Sequence, residues 1–347
     1  MVLTILVIIL SVLFTYTNGF QDGSSVAAGA IASRAMTRMQ AVALVATFEF
    51  LGALFGGSAV ANAIKNITTF PEANPSLLPI LAAGLLAAIS WNYLTKLIRV
   101  PSSSTHALVG GVIGALIAGS GGTQFLDWGT PDHILQSTGI WKVVLSLFLS
   151  PLIGFFAGYV CLYVLLIALR NSSTRVNTDL KKWQYFTTAV LAFGHGANDT
   201  QKAMGLLVLT LNAGGYMHGS DIPLWIRLLI GSAMVCGIIS LAPGIVKRVG
   251  TGIYRMRPVH GLTTELSSAI VVMVGSITGG PVSASQIIAC TVMGIGYAER
   301  RKGVHWLVAR DMLMAWFWTI PCAGVVAFII YTVLFRWIQH DMCHLPL

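Results

Sequence analysis

Apolar runs of about twenty residues, long enough to cross a bilayer core as a helix, follow one another along nearly the whole chain. They can be drawn over 1–34, 41–63, 77–98, 102–119, 140–169, 183–210, 223–246, 259–279, 281–298 and 306–336. Two of them carry polar interruptions, near 17–22 and near 194–200, and the pattern predicts broken helices there. The pairs 77–98/102–119 and 259–279/281–298 are joined by very short links, so each fits either two crossings or one re-entrant hairpin. No stretch is polar enough for a soluble domain, and 1–347 reads as a single transmembrane domain. The fold class that follows is an all-α polytopic membrane protein with about ten membrane-spanning stretches.

Composition agrees. Charged residues are 10% of the 347, against about 25% in a soluble domain. The net charge of +9 raises the question of an anionic polymer as partner. The basic residues sit instead in short loops, as the orientation of a membrane protein requires, so no nucleic acid is expected. The loop around Arg34 and Arg38 is basic, as are 170–182, 247–257 and 299–302, whereas 120–139 and 211–222 carry acids and no Lys or Arg. Basic loops inside give a consistent alternation in the cytoplasmic (inner) membrane, multi-pass, with both termini outside. No Lys or Arg precedes Arg34, so residues 1–16 read as the first membrane helix rather than a signal peptide. The five cysteines include no C-x-x-C pair and read as packing residues. The pairs Gly110/Gly114 and Gly154/Gly158 have G-x-x-x-G spacing. Close helix packing inside the chain is the first reading, and a homodimer contact the second.

The chain also repeats itself. N-G-F-Q-D at 18–22 resembles H-G-A-N-D at 195–199, an offset of 177, and P-S-S-S-T-H at 101–106 resembles P-V-S-A-S-Q at 281–286, an offset of 180. Equivalent loops differ in charge: 33–38 is basic and 211–222 is not, while 247–257 is basic and 64–76 carries one Lys and one Glu. Equivalent loops therefore lie on opposite sides, and the repeats are inverted. We expect repeat 1 over 1–125, a linking helix within 126–182, repeat 2 over 183–302, and a final helix and C-terminal tail over 303–347. Inverted repeats with interrupted helices mark secondary transporters, with substrate held near mid-membrane.

Asp22 and Asp199 lie within apolar helix, where an ionised group is costly and usually functional. Gly19 and Gly196 would let the backbone unwind. Freed carbonyls, with Gln21, Asp22, Asn198 and Asp199, would then offer hard oxygen ligands for Na⁺, or a carboxylate for H⁺. Ser102, Ser103, Ser104 and Thr105 follow Pro101, and Ser283 and Ser285 follow Pro281. Each cluster is a helix-start signature, and a helix N-terminus with added hydroxyls suits a small tetrahedral oxyanion.

With these residues in place, the chain resembles the PiT family of inorganic phosphate transporters. The resemblance rests on N-G-F-Q-D, on G-H-G-A-N-D-T-Q-K-A-M-G at 194–205, on P-S-S-S-T-H, and on T-T-E-L at 263–266. It implies phosphate symport with Na⁺ or H⁺, no further cofactor, and no enzymatic activity. It implies that Asp22 and Asp199 bind cation and phosphate, that Ser103, Ser104, Thr105, Ser283 and Ser285 bind phosphate, and that Glu265 serves the cation. The second copy departs from the family pattern, with Ala284 and Gln286 in its P-V-S-A-S-Q and Lys202 three residues after Asp199. The Lys202 ammonium can pair with Asp199 and fill the second cation position. Glu49 and His106 are possible modulators; His195 has no ligand-like spacing. The competing readings are a sulfate or other tetrahedral-oxyanion transporter and, remotely, an intramembrane aspartyl protease.

Overall fold

In hydrocarbon every backbone N–H and C=O must be satisfied within the chain, so each apolar run becomes a helix. The computed structural model describes residues 1–71, 74–98, 100, 102–129 and 138–336. Pro101, Glu72, Asp132, Cys343 and the tail after 336 lie outside the described residues. The elements are α1 (Val2–Ala32), α2 (Arg38–Phe55), α3 (Ala59–Lys65), α4 (Leu77–Leu97), α5 (Ser104–Ser120), α6 (Gly139–Ala168), α7 (Val176–Ala213), α8 (Leu224–Ile239), α9 (Pro243–Lys247), α10 (Pro258–Thr278), α11 (Ala284–Arg300) and α12 (Trp306–Ile330). Six helices, and a seventh span formed by α8 with Pro243–Gly252 bent at 69°, are long and apolar enough to cross a membrane. α7 is longer than any of the six but falls outside that set because its middle is polar.

The expected breaks near 17–22 and 194–200 are not there. α1 and α7 run through both motifs as continuous helices, so no backbone carbonyl is freed for a cation. The glycines do different work. A Cβ on Gly19 would strike the backbone of Met234 and Gly237 on α8, and one on Gly196 would strike the backbone of Glu49 on α2. Small residues let helix backbones approach closely in a membrane. The motif helix of each repeat is thereby clamped to the second helix of the other.

The order of elements repeats: a long motif helix (α1, α7), a helix followed by a short one (α2–α3, α8–α9), then a hairpin (α4–α5, α10–α11). α6 and α12 also correspond. Each carries an internal proline, Pro151 and Pro321, and each packs on the other unit's hairpin, α6 on α10–α11 and α12 on α4–α5. The stretch read above as a linker thus behaves as the last element of the first unit. The G-x-x-x-G pairs serve these packings. Gly110 and Gly114 face Ile320 and Gly324 on α12, and Gly154 and Gly158 face Ile287 and Thr291 on α11.

The two hairpin turns touch: Thr105 Oγ1 donates to Val282 O (3.4 Å), and Ser285 Oγ to Ser102 O (3.4 Å). Hairpins inserted from the two sides, as the inverted repeats expected above would be, make such a contact only if they are re-entrant. Full crossings would leave those turns about 30 Å apart, the thickness of the hydrocarbon core.

Over-packing a helix contact costs about 1–3 kcal/mol. Gly19→Val and Gly196→Val should each lower the melting temperature of the purified protein. Cys236→Ser, at an exposed position, should leave it in place. Equal melting for all three would remove the clamp.

Candidate functional site

The site forms where the two motif helices pass the two hairpin turns. The residue before each aspartate holds its own repeat's turn. Gln21 Nε2 donates to Ser102 Oγ (2.7 Å), Ser102 O (3.2 Å) and Thr95 Oγ1 (3.2 Å). Asn198 Nδ2 donates to Gly280 O (3.1 Å) and Ser276 Oγ (3.3 Å), while its Oδ1 accepts from Val282 N (3.3 Å). These amides are engaged with the hairpins, which places Gln21 and Asn198 as turn clamps beside the carboxylates.

Asp22 and Asp199 come together. One ligand atom from each, and one from His195, all lie within 4.8 Å of one another, a spacing that admits a shared cation. Ser104 Oγ, at the start of α5, donates a short hydrogen bond to Asp22 Oδ2 and lies 3.0 Å from Asn18 Oδ1. Asn18 Nδ2 in turn donates to Asp199 Oδ2 (3.1 Å). His195 bridges two acids, with Nδ1 2.8 Å from Glu49 Oε1 and Nε2 3.2 Å from Asp199 Oδ2. The expected Lys202–Asp199 pair is present at 2.7 Å. The same ammonium donates to Thr105 Oγ1 (2.5 Å) and Val282 O (2.7 Å), which ties α7 to both turns. Asp22 and Asp199 are each 1% exposed, and His195 and Lys202 0%. Asp22 Oδ1 makes no close hydrogen bond among the described residues, and the Ser285 hydroxyl lies beside this carboxylate.

The hydroxyls gather at the starts of α5 and α11. Ser103 is the N-cap of α5, accepting from His106 N (3.2 Å), and Ser283 is the N-cap of α11. Ser283 Oγ lies 3.3 Å from Ser285 Oγ. His106 Nδ1 is 2.8 Å from Ser103 Oγ, and its ring is 3.4 Å from Gln286 Nε2. The structure does not bring Glu265 into this cluster. It accepts from Thr187 Oγ1 (2.6 Å) and lies against Gly29, two turns and about 10 Å along α1 from Asp22.

Two members of the cluster, Asn18 and His195, were missed as site residues in the sequence. Each stands four residues before its aspartate, which puts it on the same helix face, and that spacing was the available signal. Nor is the pair of carboxylates a protease dyad sharing one proton, because Asp199 is held by an ammonium.

A helical bundle in which two hairpin tips meet beside buried acids fits a membrane transporter. Known proteins sharpen this. A model of the phosphate transporter family matches residues 18–178 and 168–327, and the chain belongs to that family, whose substrate is phosphate. It is 32% identical to the "Probable low-affinity inorganic phosphate transporter" of Bacillus subtilis, over 96% of this chain and 98% of that one. A protein of the same description from Rhizobium meliloti is 30% identical, over 93% of this chain and 94% of its own length. The solved structure of "The sodium-dependent phosphate transporter" superposes with a TM-score of 0.84 at 23% identity, covering 99% of this chain and 100% of that one. That likeness shows the fold. The chain is a multi-pass membrane transporter, not an enzyme.

Removing one partner of a buried ion pair costs about 3–5 kcal/mol, because the other charge is stranded. Lys202→Met should therefore lower the melting temperature sharply, and adding Asp199→Asn should restore much of it. Strictly additive losses in the double variant would contradict the pairing.

Proposed function

We propose that the protein is an ion-coupled symporter that carries inorganic phosphate across the cytoplasmic membrane by alternating access. The observation that carries this reading is the meeting of two hydroxyl-bearing helix starts beside Asp22 and Asp199. Ser103, Ser104, Thr105, Ser283 and Ser285 donate to the phosphate oxygens, helped by the free N–H groups and dipoles of α5 and α11. Asp22 Oδ1 is the acceptor without a close hydrogen bond. Phosphate near neutral pH still carries a proton that it can donate there; sulfate has none, and would face the carboxylate with repulsion alone. That oxygen supports phosphate over sulfate.

The charges divide unequally. Asp199 is matched by Lys202, so the coupling ion, Na⁺ or H⁺, is needed at Asp22. Lys202 acts as a tethered cation at the second position. The centre is sealed on every side, so cargo reaches it only when one hairpin moves away from the other. Inverted halves exchanging roles about a fixed site give that motion.

Labelled phosphate uptake into proteoliposomes tests this, with Na⁺ and pH gradients imposed separately and sulfate as competitor. One gradient should drive uptake, sulfate should compete poorly, and Asp22→Asn should abolish accumulation. Uptake should rise with the coupling ion without cooperativity in the parent and become cooperative in Lys202→Asn. Gradient-independent equilibration, or cooperative dependence already in the parent, would contradict the respective parts.

A further inference from the structure

A second concentration of charge lies away from the central site. A cavity of about 670 Å³ opens on the basic-loop side, lined by Arg34, Arg38, Lys181, Lys247, Arg255 and Arg257, with no Asp or Glu among the described residues of its walls. Arg257 pairs with Glu299. The other five make no ion pair among the described residues.

Orientation of a membrane protein requires basic loops, but it does not require them to converge. Here four separate segments deliver their cations to one concavity: the turn after α1, the start of α7, the end of α9, and the loop before α10. Like charges brought together repel, and a cleft of one sign concentrates counter-ions. The backbone adds a second observation. Arg34 has φ of 57°, the one positive value outside glycine among the described residues. A non-glycine residue there costs about 1–2 kcal/mol, and such strain gathers at binding sites. The chain places an arginine where glycine or asparagine would sit more easily.

The position is also telling. Ile31, Ala32 and Ser33 of the α1 end form part of the wall. Ala32 lies ten residues, about 15 Å, along α1 from Asp22. Among the described residues no Phe, Tyr or Trp lines the cavity, so they offer no platform on which a nucleotide base could stack. Arginine forks and lysine points fit a phosphate group, and Ile31, Leu241, Val246 and Met256 would tolerate an apolar neighbour.

We propose that this cavity is a second binding site for a phosphate group, on the cytoplasmic face and distinct from the transport site. Its side of the membrane rests on the transporter reading; its ligand does not. Two sources share the chemistry: inorganic phosphate, held after release or sensed from the cytosol, and the headgroup of an anionic phospholipid.

Equilibrium dialysis of labelled inorganic phosphate against the purified full chain, in neutral detergent, separates them. A combined Arg34→Gln, Lys247→Gln, Arg255→Gln variant removes unpaired cations. Asp22→Asn disables the central site. A second arm measures retention of phosphatidylglycerol over phosphatidylcholine by native mass spectrometry. If the source is inorganic phosphate, the triple variant loses a salt-sensitive class of sites that Asp22→Asn keeps, with affinity weaker by roughly tenfold or more. If the source is the headgroup, the triple variant loses phosphatidylglycerol retention instead. Arg34→Lys with Arg255→Lys, which keeps the charge, should keep either property; Arg255→Gln alone replaces the triple variant if that elutes as aggregate. Unchanged phosphate binding and unchanged lipid retention in the folded Gln variant would overturn the proposal. Loss of the central class alone, with the cavity class intact, would count against the transport site instead.

Discussion

Two carboxylates held within 4.8 Å at the centre of a membrane bundle are the constraint on which the rest depends. At an effective dielectric constant of about 20 their mutual repulsion is roughly 3 kcal/mol, before the cost of removing each from water. The surroundings read as the answer. Lys202 neutralises Asp199, His195 stands between Asp199 and Glu49, and Asn18 and Ser104 donate to the acids. Donors can be held that firmly only on rigid elements. This accounts for uninterrupted α1 and α7, glycine-mediated contact with α8 and α2, and turns anchored by Gln21 and Asn198.

The two halves solve the problem differently. In the first copy the hairpin hydroxyl of Ser104 reaches Asp22. Its counterpart in the second copy is Ala284, which has no hydroxyl to offer Asp199. Lys202 takes over that contact, and the position equivalent to it in the first copy is Ser25. Loss of a hydroxyl and gain of an ammonium are thus one exchange. It leaves Asp22, with one oxygen making no close hydrogen bond, as the acid open to a mobile cation and to a phosphate proton.

Much of this was legible in the sequence. The motif offsets gave the repeat, and repeated D and S/T clusters gave the acids and the helix starts, because each is a local pattern with a local cause. The breaks in α1 and α7 were misread because Gly19 and Gly196 permit either unwinding or close approach. Only the position of the partner helix decides between them. His195 was passed over because one of its partners, Glu49, arrives from another helix, and the other, Asp199, is marked only by the four-residue spacing on α7. The hairpins could not be told from crossings, since parity is the same for both. The basic residues read as topology alone until the fold drew four segments around one cavity.

Everything above requires the two turns to meet in the middle of the membrane. The direct test is a paired-cysteine link between them: Ser102→Cys with Ser285→Cys in a background free of native cysteines, oxidised in membranes. The account predicts rapid linking, reversed when a reductant is added. No link under conditions that join a control pair on packed α6 and α11 would contradict it, because turns at opposite surfaces are about 30 Å apart.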